Sequence, residues 1–117
     1  MRLACISVLS LVLSLAGAVH PAHVDAAGRC AQYQQTALNV GWSMRDWSRL
    51  SRIMYRESRC DTTQVNLRGR DRSYGLLQIN TKGALWGELQ RRCGLSDRSE
   101  LLEPAVNLRC GKILHRV

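Results

Sequence analysis

The chain predicts a mainly α domain with a short irregular hairpin or loop region. Three observations predict it: apolar residues return at helical spacing in three separate segments, no long strand-like alternation occurs, and the segments surround one polar, glycine-containing stretch. With 117 residues, of which 45% are hydrophobic and 22% charged, length and composition suit one globular domain and exclude multidomain and fibrous architectures. No internal repeat, low-complexity tract or linker interrupts it.

Residues 1–27 are read as a secretory signal peptide. Arg2 precedes an apolar run from Leu3 to Val19, and Ala16-Gly17-Ala18 has the small-x-small form of a cleavage site. Val24-Asp25-Ala26 offers a second site, so the cut is expected after Ala18 or Ala26. The run is short for a membrane span and lacks the basic flank of a stop-transfer helix. Residues 28–117 then form the domain.

Within it, Cys30, Tyr33, Ala37 and Val40 recur at i, i+3, i+7 and i+10 before Gly41, so the first helix is expected at about 29–40 with Gly41 as a left-handed cap. Ser43 followed by Asp46 resembles an N-terminal capping arrangement and opens a second helix that runs to about Ser58. On this helix Trp47, Leu50, Met54 and Glu57 fall within an arc of roughly 80° at 100° per residue. Arg45, Arg49, Arg52 and Arg56 gather on the opposite side. From Asp61 to Gly75 the polar pattern predicts a loop or short hairpin turning near Gly69, with any sheet confined to that stretch. Gly75 to Asn80 is a compact apolar run around Gln78. The last helix opens at Pro104, a residue suited to a first turn, and places Val106, Cys110, Ile113, Leu114 and Val117 on one face.

Seventeen Lys+Arg against nine Asp+Glu give a net charge of +8, and only Lys82 and Lys112 among the cations are lysines. Arg2 and Asp25 are the only charges before Gly28, so the excess belongs to the domain and favours anionic partners. Cys5 leaves with the leader. Cys30, Cys60, Cys93 and Cys110 remain as an even set in an exported chain, which predicts two disulfides in one of three connectivities. No cysteine pair has metal-ligand spacing and His115 is the only histidine outside the leader, so neither metal nor other cofactor is expected.

Glu57 is the most informative residue chemically. A carboxyl drawn into an apolar surface holds its proton to higher pH and suits general acid chemistry; the plain alternative is an ion pair with Arg56 or Arg59 at the helix end. Its context is Glu57-Ser58, then Asn66, then Ser73-Tyr74-Gly75-Leu76-Leu77-Gln78-Ile79-Asn80, then Leu102-Glu103-Pro104 and Asn107-Leu108. In this order, from about Ile53 to Ile113, the chain resembles the lysozyme-like superfamily, above all the soluble lytic transglycosylase domains and also the chicken-type lysozymes.

The resemblance implies an α+β lysozyme-like fold and cleavage of the β-1,4 bond between N-acetylmuramic acid and N-acetylglucosamine in peptidoglycan. It implies that Glu57 is the general acid, that Asn66 steadies the acid or a sugar amide, and that Ser73, Tyr74, Gln78 and Asn80 line the glycan groove. Gly75 would admit the glycan close to the backbone. It also implies the pairs Cys93 with Cys110 and Cys30 with Cys60. The alternative roles are turn formation for Asn66 and Ser73 and packing for Tyr74.

Hydrolysis ordinarily needs a second carboxylate. The chicken-type pattern has an aspartate directly before the tyrosine, where this chain has Ser73. Asp71, two residues earlier between Arg70 and Arg72, is the candidate second carboxylate, with a solvated charge cluster as its simpler role. Single-acid lytic transglycosylation therefore fits better than hydrolysis. A hydrolytic lysozyme, or a lysozyme-like glycan-binding protein with reduced catalysis, is the alternative. The latter is favoured by the end at Val117, where relatives continue with further helices. The expected partners are peptidoglycan strands and an anionic cell-wall surface, with secreted, periplasmic or wall-associated localisation and a monomeric state. No nucleic-acid motif occurs, and none is expected as a partner.

Overall fold

A computed structural model describes residues 28–115; the leader, its two cleavage sites and Val117 lie outside the described residues. A 3-10 turn, Ala31–Tyr33, leads into α1 (Gln34–Asn39), followed by α2 (Met44–Ser58), strands β1 (Val65–Asn66), β2 (Ser73–Tyr74) and β3 (Ile79–Asn80), α3 (Ala84–Cys93), a second 3-10 segment, Arg98–Leu102, and α4 (Pro104–Leu114). The domain is thus mainly α with a small antiparallel sheet of order β1-β2-β3.

The second helix lies where its periodicity puts it, whereas the expected 29–40 helix divides into the 3-10 turn and the shorter α1. Gly41, at φ 105°, ends the α1 turn in the left-handed region that an L-residue avoids. Ser43 caps α2: its hydroxyl accepts from the Asp46 N–H at 3.2 Å and donates to the Asp46 carboxylate at 2.8 Å. This gives the chain-reversing start two satisfied polar groups.

Two expectations need correction. The sheet is not confined to 61–75, because β3 pairs with β2 at Ser73↔Asn80 and Tyr74↔Ile79. One helix, α3, is additional to the three that the periodicity predicts. Its apolar residues do recur, with Leu89 and Cys93 buried and Trp86 half-buried, but it starts at Gly83 without a side-chain cap and carries Gly87 inside. Gly87 weakens a local helix and Gly83 supplies no capping side chain, so packing supplies what local chemistry does not.

The core has two clusters. Ala37, Trp42, Trp47, Leu50, Met54, Leu76 and Leu108 fill the first. Ile79, Leu89, Leu95, Leu101 and the Cys93 and Cys110 half-cystines fill the second. Leu77 packs against both. Disulfides join Cys30 to Cys60 and Cys93 to Cys110, the pairs the resemblance implies. One ties the start of the described chain to the end of α2, the other α3 to α4. Such crosslinks point to an oxidising, extracellular-type compartment. Among the described residues, no helix is long and apolar enough to cross a membrane.

Asn107 on α4 is fully buried and joins these parts. Its carbonyl oxygen accepts from Leu77 N–H at 3.0 Å, while its amide donates to Tyr74 O at 2.9 Å and Leu101 O at 2.8 Å. Gly75, at φ 73°, lies so close that a Cβ there would run into Leu101 O and the Asn107 amide. Its missing side chain therefore makes room for Asn107 inside the fold, a correction to the expected approach of glycan.

Asn107→Leu should leave one buried and two part-buried backbone groups without this partner and lower stability by about 2–4 kcal/mol, read from urea denaturation. Removal of Cys30–Cys60 by paired serine substitution should cost about 3–4 kcal/mol by loop-closure entropy. At low pH a different set of groups matters. The Ser43 hydroxyl holds Asp46 below the ordinary 3.8, and the hydroxyl and N–H of Thr63 and Ser99 do the same for Asp61 and Asp97. Folded values below unfolded ones give stability that is present above that ordinary value and lost as pH falls through the folded one. The triple variant Asp46→Asn, Asp61→Asn, Asp97→Asn should therefore show a smaller loss of urea midpoint than the parent between about pH 5 and pH 2.

Candidate active site

The buried face of α2 consists of Trp47, Leu50, Ser51, Met54 and Ser58. Two of the five are serines, which an apolar count leaves out. With them included, the face centres near Trp47 and Ser58, and Glu57 lies roughly 75° from that centre, on its rim. Glu57 is therefore exposed and not drawn into the apolar stripe as its spacing with Trp47, Leu50 and Met54 predicts. Its Oε1 receives Arg56 Nη2 at 3.1 Å and Nε at 3.2 Å, the plain alternative for an acid at this helix end.

Ser58, the next residue, explains the position of the helix end. Its hydroxyl lies 2.9 Å from both Met54 O and Leu76 O and donates between them. The buried hydroxyl thereby fastens the last turn of α2 to the Gly75–Gln78 turn between β2 and β3. Glu57 is carried at the rim of that junction.

Across the sheet the register pairs Asn66 with Ser73 and Ser73 with Asn80. Directly opposed residues point to one face, so these three polar side chains form a row. Tyr74 and Ile79 occupy the opposite face and pack into the second core cluster. The structure thus brings together three of the four predicted groove residues of the sheet and separates Tyr74 from them. Tyr74 borders a cleft of about 440 Å³ with Leu67, Arg72, Thr81, Lys82 and Arg98.

Local hydrogen bonds engage several of the same side chains. Asn66 accepts from Arg68 N–H at 3.0 Å, closing the turn after β1, and donates to the Asp71 carboxylate at 3.2 Å. Asp71 is exposed. Asn80 accepts from Lys82 N–H at 3.1 Å. Gln78, in the left-handed region at φ 47°, directs its amide to Gln64 O and Gly75 O, both at 2.9 Å, and holds the hairpin closed. Ser73 is buried.

The arginine face is exposed as its spacing predicts, but its most organised part was not legible. Arg29 and Arg59 stack on Tyr55, with guanidinium carbons 4.1 and 4.5 Å from the ring centroid. The signal that finds this arrangement is the Cys30–Cys60 bond, because each arginine directly precedes one of its cysteines. Among the described residues, no three His, Cys, Asp or Glu side chains gather as a metal site. No family model matches the chain, and no curated protein or solved structure is significantly similar to it.

Ser58→Ala should cost about 1–2 kcal/mol because Leu76 O loses a buried donor. Arg56→Gln should change stability by less than about 1 kcal/mol, since an exposed ion pair contributes little. Urea denaturation of the two variants separates the roles of these neighbours.

Proposed function

We propose that the protein cleaves peptidoglycan at the bond between N-acetylmuramic acid and N-acetylglucosamine as a lytic transglycosylase, with Glu57 as its single acid and base. The observation that carries the reading is the Ser58 junction. It couples the acid-bearing helix end to the hairpin whose Ser73 and Asn80 belong to the same motif order, across 18 residues of sequence.

In this reading Glu57 protonates the bridging oxygen as the glycosidic bond breaks. The 6-hydroxyl of the muramic acid closes on the anomeric carbon and returns a proton to the Glu57 carboxylate. No water is consumed and the acid is regenerated. Asn66 and Asn80, with the buried Ser73 between them in the row, offer amide groups to the sugars from one sheet face. Glu57 is ion-paired to Arg56 in this structure, so its acid form requires the bound glycan to separate the two. Arginines on the exposed face of α2 favour approach to an anionic wall.

Asp71 supports the hydrolytic alternative less well. Its carboxylate is exposed, accepts from Asn66 and belongs to the hairpin tip rather than to the α2 junction.

The expected result is that the purified protein releases muropeptides from peptidoglycan and Glu57→Gln lowers the rate by at least about 100-fold, the range of general acid catalysis, with an unchanged circular dichroism spectrum. Equal activity in that variant overturns the reading. Products one water heavier than the anhydro form, read by mass spectrometry, identify hydrolysis instead.

A further inference from the structure

The best-organised cationic site lies on the outer side of α2, and of its arginines only Arg56 meets the proposed reaction, through its ion pair with Glu57. Arg29, Arg52, Arg56 and Arg59 line a cleft of about 730 Å³ with Tyr55 and Ser48. We propose that this cleft binds a phosphate monoester of a small sugar or polyol.

The cleft is assembled by the Cys30–Cys60 disulfide. That bond sets the two Cα atoms 5.2 Å apart and so brings Arg29 and Arg59, far apart in sequence, onto one tyrosine ring. Arg59 stands at the C-cap of α2 with φ 56°, where glycine is the easier residue, and its neighbours Cys60 and Cys30 have φ 64° and 58°. Three non-glycine residues in this region hold the two guanidiniums where an ordinary helix end would not.

Among the described residues neither guanidinium over the ring donates a hydrogen bond, so the N–H groups of Arg29 and Arg59 stay available to a ligand. Among the described residues that line the cleft, Arg56 alone meets a carboxylate, that of Glu57. Arg29, Arg52 and Arg59 thus offer three unneutralised forks to one space, and their mutual repulsion falls when an anion enters. A carboxylate has two oxygens, which one fork satisfies. A phosphate monoester carries about −1.5 to −2 charge and three terminal oxygens, one for each of three forks. The cleft is also larger than a phosphate ion, and its size lies within the range of small-molecule sites, which leaves room for the carbon skeleton bearing the phosphate.

Isothermal titration of the purified protein at constant ionic strength tests this, with glucose 6-phosphate, inorganic phosphate and acetate as probes. Glucose 6-phosphate should bind about threefold or more tighter than inorganic phosphate, and inorganic phosphate about tenfold or more tighter than acetate. Arg29→Gln with Arg59→Gln should weaken glucose 6-phosphate about tenfold or more, whereas Arg45→Gln with Arg49→Gln, the same loss of charge from the same helix face, should change it less than about twofold. Arg29→Lys with Arg59→Lys keeps the charge and should still weaken binding several-fold, with the fold checked by circular dichroism. Equal weakening by the two glutamine pairs, full affinity in the lysine pair, or acetate binding as tightly as phosphate overturns the proposal. Inorganic phosphate binding as tightly as the ester overturns the assignment of a carrier. Glu57→Gln releases the Arg56 guanidinium and should not weaken any of these affinities, so loss of glycan cleavage in that variant leaves this result standing.

Discussion

The carboxamide of Asn107 has one acceptor and two donors satisfied inside the protein, by Leu77 N–H, Tyr74 O and Leu101 O. It joins α4, the hairpin and the second 3-10 segment at once. The arrangement demands close packing around it. Gly75 lacks a Cβ where the Asn107 amide passes, and Gly111, one turn along α4, lacks one where the Leu77 side chain lies. Leu77 is consequently held by its backbone to Asn107 and by its side chain against Gly111. Since Leu77 is shared by both core clusters, the polar hub also sets how the two apolar masses meet.

What the sequence reveals is mostly what repeats locally. The end of α1, the limits of α2, the Ser43 cap and the opening of α4 at Pro104 follow from spacing and capping chemistry, which act within a few residues. Failures occur where distant partners decide. Ser51 and Ser58 count as polar in a periodicity, yet both are buried because their hydroxyls bond to carbonyls, and this rotates the buried face of α2 away from Glu57. Gly83 and Gly87 conceal α3. Asn107 is visible as part of a motif, but its three bonds connect segments up to 33 residues apart and leave no periodic trace.

The candidate site shows the same division. Asn66, Ser73 and Asn80 come together because strand register aligns them, and a short alternation cannot announce that register. Tyr74 follows the opposite face into the core. Asn66, Gln78 and Asn80 also have bonds to the hairpin's own backbone, so their presence in the motif is partly accounted for by folding. Ser58 is the corresponding case on the helix: it serves the packing of α2, and through that packing it determines where Glu57 stands. The positive charge divides likewise between arginines spread on an open helix face and those collected around Tyr55.

The two disulfides enclose loops that neither overlap nor nest: residues 30–60 lie wholly before residues 93–110. For a chain delivered amino end first, Cys60 meets its correct partner before Cys93 has emerged, and the later pair then forms after Cys30 and Cys60 are already joined. Vectorial delivery alone therefore selects one connectivity of three, and oxidative maturation in this order calls for no reshuffling by an isomerase. Refolding of the reduced domain, residues 28–117, forfeits that kinetic ordering, since its four thiols are then present together.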